Sequence, residues 1–164
     1  MEKKIKQKSV DDIITIKSVR LENKGLTSLE GSPEKVYFFN VSRNNLKNLI
    51  GSPKIVKDYY ADYNQLETLE GSPEEVDYFD ISHNPTLKNT DGIPKRIGIL
   101  DLFGTIHSAS QFTEYPDSVK DIYFDYKIPI EDVKQIVSNI KEVGVVYIRD
   151  EKYKIVEILK INKH

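Results

Sequence analysis

The chain contains no cysteine and no tryptophan among its 164 residues, and only one methionine. Without cysteine there are no disulfides, no thiolate zinc sites and no thiol catalysis. No apolar run approaches the ~20 residues needed to span a bilayer as a helix. The basic start, Met1 to Lys8, has no apolar stretch behind it, so it is not expected to act as a secretory signal. Together these point to a reducing cytoplasm and no membrane partner. A large excess of one charge is missing too: 24 Lys plus Arg face 26 Asp plus Glu. That balance argues against bulk electrostatic binding to nucleic acid. Hydrophobic residues reach only 38%, but ten Tyr and six Phe add bulk, enough for one modest core.

What the chain does have is a repeat. Gly31-Ser32-Pro33 recurs as Gly51-Ser52-Pro53 and Gly71-Ser72-Pro73, and more weakly as Gly92-Ile93-Pro94. Asn44, Asn64 and Asn84 advance at the same 20-residue step. Aligned on these marks, one unit reads Val36-x-x-Phe39-x-Val41-x-x-Asn44-x-Leu46-x-x-Leu49, and two further clean units follow. Degenerate copies start at Ile16, Ile97 and Val119, with Lys24, Thr105 and Lys127 at the Asn position. About six units therefore run from about 16 to 129.

This pattern resembles the leucine-rich repeat, in the 20-residue form found in bacterial type III effectors and small tailed-phage proteins. The resemblance covers roughly two thirds of the chain. It implies an α/β repeat solenoid dominated by β-structure, with a parallel concave sheet and a convex side that is extended, since Pro fixes a dihedral and removes a donor. Relatives with a ubiquitin-ligase domain need a catalytic cysteine after the repeats; this chain has none, so only the recognition half of the resemblance carries over. The Asn is expected to turn its amide inward, onto backbone groups of the bend after each strand.

The organisation expected is a solenoid over 1–129 and a helix-and-hairpin cap over 130–164. Within 1–15, Ile5, Val10, Ile13 and Ile14 are expected to cover the first unit, as a strand or as a short helix capped by Ser9 with Asp12. From Ile130 to Ile140 apolar residues recur at helical spacing, with Glu131 and Asp132 in the first turn. Val145 to Arg149 and Tyr153 to Ile161 read as two strands. The irregular stretch from Gly104 to Tyr115 reads as a protruding loop.

Register assigns the outward side chains of the six strands. Eighteen positions hold seven acids, five aromatics and one base, Arg20. The candidate partner-binding residues are Phe38, Asp58, Tyr60, Asp62, Tyr78, Asp80, Asp101, Phe103, Asp121, Tyr123 and Asp125, with Tyr63 and Tyr126 one step further along. An acidic, aromatic face suits a protein with a basic surface that offers Arg to the rings, and no direct contact with nucleic acid, a polyanion. Aromatic ladders also stabilise stacked strands with no ligand at all. Six strands give an arc of only about 24 Å.

No chemistry rises beside this. His83, His107 and His164 lie in no metal-ligand spacing, and no nucleophile elbow occurs. Asp58 with Asp80 or Asp62 lacks any calcium-loop pattern. Asp101 with Asp121 lacks a pocket to separate two carboxyl pKa values. The expectation is a non-catalytic protein-binding module with no cofactor and no metal, acting in the cytoplasm, or in a host cytoplasm if it is a phage or effector factor. The alternatives are a self-associating structural protein, hence a homo-oligomer, and an acidic mimic of nucleic acid.

Overall fold

The computed structural model describes residues 16–160. The expectation placed on residues 1–15 lies outside them. The chain winds as a β-solenoid of about six turns around one sheet. Its strands are β1 (Ile16–Arg20), β2 (Lys35–Asn40), β3 (Ile55–Tyr60), β4 (Glu75–Asp80), β5 (Arg96–Asp101), β6 (Ser118–Asp125), β7 (Glu142–Arg149) and β8 (Ile155–Lys160). They lie in sequence order; β1 to β7 are parallel and β8 closes antiparallel on β7. One helix, α1 (Ile130–Asn139), crosses between β6 and β7.

The repeat explains each turn. Val36, Phe39 and Val41 point into the core with their equivalents in later strands, and Leu46, Leu49, Leu66 and Leu69 fill it from the return side. Phe39, Tyr59 and Phe79 form an inner column with ring centroids 5.3 and 5.5 Å apart. Each such side chain contributes about 2 kcal/mol by leaving water. The Tyr59 hydroxyl, deep in the core, finds Ser52 Oγ at 2.6 Å.

Twenty residues suffice because the return path of these units holds turns and bends and no helix. Leu-x-Gly-Ser is a tight turn: the Ser32, Ser52 and Ser72 amides each donate to the Leu carbonyl three residues earlier, and their hydroxyls donate to it again. Gly71 has φ of 92°, and a β-carbon there would sit 2.3 Å from the backbone of Leu49 and Ile50. Only glycine combines that left-handed conformation with that approach between turns.

The Asn expectation holds in atomic detail. Asn44 Oδ1 accepts from the amides of Lys24 and Leu26, and its Nδ2 donates to the carbonyls of Leu21 and Val41. Asn64 and Asn84 repeat the arrangement. Thr105, in the Asn position of the next unit, donates Oγ1 to the Ile81 carbonyl and accepts from the Asn84 amide.

Two expectations change. The stretch from Gly104 to Tyr115 does not protrude. It holds a one-turn 3-10 helix at Ala109–Gln111, buries Ala109 and Phe112, and donates the Ala109 amide to Asp132 on α1. Apolar side chains every few residues pull it onto the core. The second change concerns the end of the chain. Val143, Val146 and Ile148 align with Val119, Ile122 and Phe124, so β7 is a seventh copy of the strand and continues the parallel sheet. Helix α1, with Val133, Ile136 and Val137 buried, occupies that turn's return path.

Candidate functional site

The outward face of the sheet is built by strict register. Phe38, Asp58, Tyr78, Ile99 and Asp121 form one column across the strands; Asn40, Tyr60, Asp80, Asp101 and Tyr123 form the next. Aromatic and acidic groups therefore alternate like a checkerboard. Phe38, Tyr60 and Tyr78 run diagonally across it, with centroids 5.1 and 5.0 Å apart. Further along, Tyr123 stacks on Tyr147 of β7 at 4.7 Å.

Part of the acidity has a local cause. The side chains of Asn40, Asp80 and Asp101, each the last residue of its strand, accept the amide two residues on, and Asp125 does the same for Lys127. Short acceptor side chains close such turns well. Asp62 accepts from the Ser42 hydroxyl.

The sequence-derived candidates separate into two groups. Phe38, Asp58, Tyr60, Asp62, Tyr78, Asp80, Asp121 and Tyr123 remain accessible to varying degrees. Asp101, Phe103 and Asp125 are buried, each with 6% of its surface exposed. They are covered by the C-terminal hairpin. Arg149, at the end of β7, pairs with Asp101 and lays its guanidinium over the rings of Tyr123, Phe103 and Tyr153 at 4.6, 5.5 and 5.7 Å. A register shift between Ile148 and Arg149 accompanies this. Tyr153, in the hairpin turn, reaches His83 Nε2 with its hydroxyl at 2.7 Å.

Arg149, Tyr147, Tyr153 and His83 were not among the sequence-derived candidates. The first two were within reach: extending the repeat to Val143-x-x-Val146-x-Ile148 places both outward. His83 belongs to a third column. The residue before each ladder position adopts a left-handed conformation: Asn23, Arg43, Tyr63 and His83 have φ between 51° and 57°, and Gly104 has 64°. That conformation stacks their side chains along the edge of the face. Arg43 lies over Tyr63 at 4.5 Å, and Tyr63 stacks on His83 at 4.2 Å.

Electrostatics concentrate at Asp80. Burial, and next the charge of Asp101, push its carboxyl up to about 6. The folded state thus holds this proton more tightly than the unfolded chain, whose Asp titrates near 4. Stability from this group is fully present below pH ~4 and is lost as pH rises through about 6. Asp80→Asn should therefore raise stability at pH 7 by up to about 3 kcal/mol and flatten that part of the pH profile. Urea unfolding of parent and variant at pH 4.5 and 7.5 checks it; equal gains at both pH values would refute the assignment. Burial likewise raises the hydroxyl pKa values of Tyr60, Tyr78 and Tyr123, keeping them neutral donors.

Among the described residues no helix is long and apolar enough to cross a membrane, and no three His, Asp or Glu are grouped to hold a metal. No protein-family model, curated protein or solved structure matches the chain.

Proposed function

We propose that the chain is a short-form leucine-rich-repeat protein whose concave face docks a protein with a basic surface, without catalysis. The carrying observation is that the chain seats its own guanidinium groups on this face at both ends. Arg20 lies over Phe38 at 4.3 Å, and Arg149 lies over Tyr123 and pairs with Asp101. Between them Tyr60 and Tyr78 stand among Asp58, Asp62 and Asp80, and the last two carboxylates have no ion pair among the described residues. A partner's Arg would do in the middle what the chain's own Arg does at the ends. Seven parallel strands widen the arc to about 29 Å. The resemblance to effector and phage repeats supports an accessory factor acting in a host cytoplasm, and α1 with the hairpin then serves as the C-terminal cap.

Tagged protein should capture a basic partner from host lysate. The double variant Tyr60→Ala/Tyr78→Ala, checked for a native circular dichroism spectrum, should lose that capture by at least about tenfold. Capture should also weaken as pH falls through about 6, where Asp80 becomes neutral. Undiminished capture by the double variant would move the contact off this face.

One observation favours a second reading. Ile155, Val156 and Ile158 are about half exposed on β8, the last strand of the sheet. An apolar edge strand is a template for a second chain. Absence of any captured protein, with a mass that rises with concentration and returns to monomer in Ile158→Lys, would support self-association instead.

A further inference from the structure

The sheet ends at β8, which pairs with β7 on one side and with no other strand among the described residues. Its register sets Ile158 opposite Tyr147 and Leu159 opposite Val146. Val146 is buried and Leu159 packs against the core. Strand side chains alternate, so Ile158 points to the outward face and continues the row Asp101, Tyr123, Tyr147. Glu157 lies on the other side of the sheet, where its charge acts on Lys134 of α1. Ile155, Val156 and Ile158 are about half exposed. Three β-branched residues within four positions, with no Pro, leave the free edge open to a further strand.

An edge of this kind can pair with its own copy about a two-fold axis normal to the sheet. Such an axis keeps each face on its own side, so residues set opposite one another share a face. The centre therefore falls on a residue and not between two. Glu157 and Ile158 are the two residues at the middle of β8. Centring on Glu157 sets two carboxylates directly opposite, which is unfavourable. Centring on Ile158 sets two β-branched side chains opposite, each beside its own Tyr147. Other repulsion between copies is small. The formal net charge is -2. Asp101 ends β5, three strands from β8, so the two copies of Asp101 stand about seven spacings, roughly 34 Å, apart. That is well beyond the ~8 Å screening length of physiological salt.

We propose that β8 pairs antiparallel with β8 of a second copy of the chain, about a two-fold axis through Ile158. This rests on the self-association reading of the exposed edge and adds the pairing and its centre; the docking face does not depend on it. The two sheets join into one, and the outward row runs from Tyr147 and Ile158 to the partner's Ile158 and the partner's Tyr147. The contact is small. Three half-exposed aliphatic side chains per copy supply roughly 200 Å² of apolar area, against ~800 Å² per partner in a standard interface. The dimer is therefore weak, with a dissociation constant on the order of 100 µM. Its consequence for docking is bivalence. Two acidic, aromatic regions share one surface, so a partner that reaches both is held more tightly than by either alone.

The test uses the full chain and exploits its lack of cysteine. Sedimentation equilibrium should give a mass near 18.9 kDa at about 5 µM, rising toward twice that at about 500 µM. Under mild oxidation at the higher concentration, Ile158→Cys should form a covalent dimer at least about tenfold faster than Glu157→Cys, because position 158 alone meets itself across the axis. Ile158→Lys, with a native circular dichroism spectrum, should stay monomeric. Equal linking at 157 and 158, with a mass that still doubles, would overturn this pairing and leave self-association through another surface standing. A dimeric Ile158→Lys would do the same. A mass of 18.9 kDa at every concentration would overturn the pairing and the self-association reading together. Capture with Tyr60→Ala/Tyr78→Ala decides the docking face separately.

Discussion

Asn84→Ala should lower the stability of the protein by about 2–4 kcal/mol. Asn84 is fully buried. Its Oδ1 accepts the Leu66 amide at 3.2 Å, and its Nδ2 donates to the carbonyls of Ala61 and Ile81 at 3.1 and 2.9 Å. Alanine removes these bonds: the Leu66 amide is left without a partner inside the core, while the carbonyls of Ala61 and Ile81 each lose one of two donors and keep Asn64 Nδ2 and Thr105 Oγ1. Each buried group left without a partner costs about 1–3 kcal/mol. The Asn84 amide also donates to Thr105 Oγ1, so the loss sits where two adjacent turns share one network. In a solenoid each turn leans only on its neighbours, so a defect at a central turn weakens the coupling of the two ends. Urea unfolding followed by circular dichroism measures the loss. A drop below about 1 kcal/mol would mean that water replaces the amide.

Arg149→Ala should cost at least as much, about 3–5 kcal/mol, for a different reason. Asp101 is 6% exposed, and its carboxylate pairs with the Arg149 guanidinium. Removing one member of a buried pair strands the other, which is far more costly than removing both. Arg149→Met/Asp101→Asn should therefore recover most of the loss, as the urea midpoints of the two single variants and the double will show. Additive losses would mean that the pair is not coupled and that the aromatic contacts alone hold the hairpin. The same substitution bears on function. Without Arg149 Asp101 has no ion pair among the described residues, and the guanidinium at that end of the face is gone, so the face becomes more acidic and more accessible there.

Much of the architecture was legible because it is written at a fixed step. Val36, Phe39 and Val41 recur in strand after strand, and the Asn ladder depends on one residue type at one place. Each mark specifies a local conformation and a contact with the next turn. The outward positions of Phe38, Tyr60, Tyr78, Asp80 and Tyr123 followed from the same register, since strand side chains alternate. The seventh strand was harder to see. Val119 and Val143 are 24 residues apart, with helix α1 between them, and the step that identified the clean units no longer applied.

By itself, then, the sequence determined the period, the inward residues, the buried amide ladder and the acidic, aromatic character of one face. These depend on neighbours in the repeat, which the chain spells out. Only the tertiary structure decided which of those outward residues are free. Arg149 lies 48 residues from Asp101 and Tyr153 lies 70 from His83, and both meet because β7 joins the sheet and the hairpin turn folds over its edge. The stacking of Arg43, Tyr63 and His83 likewise arises from a left-handed turn repeated in space. No local pattern encodes such meetings; they come from the way successive turns are laid against one another.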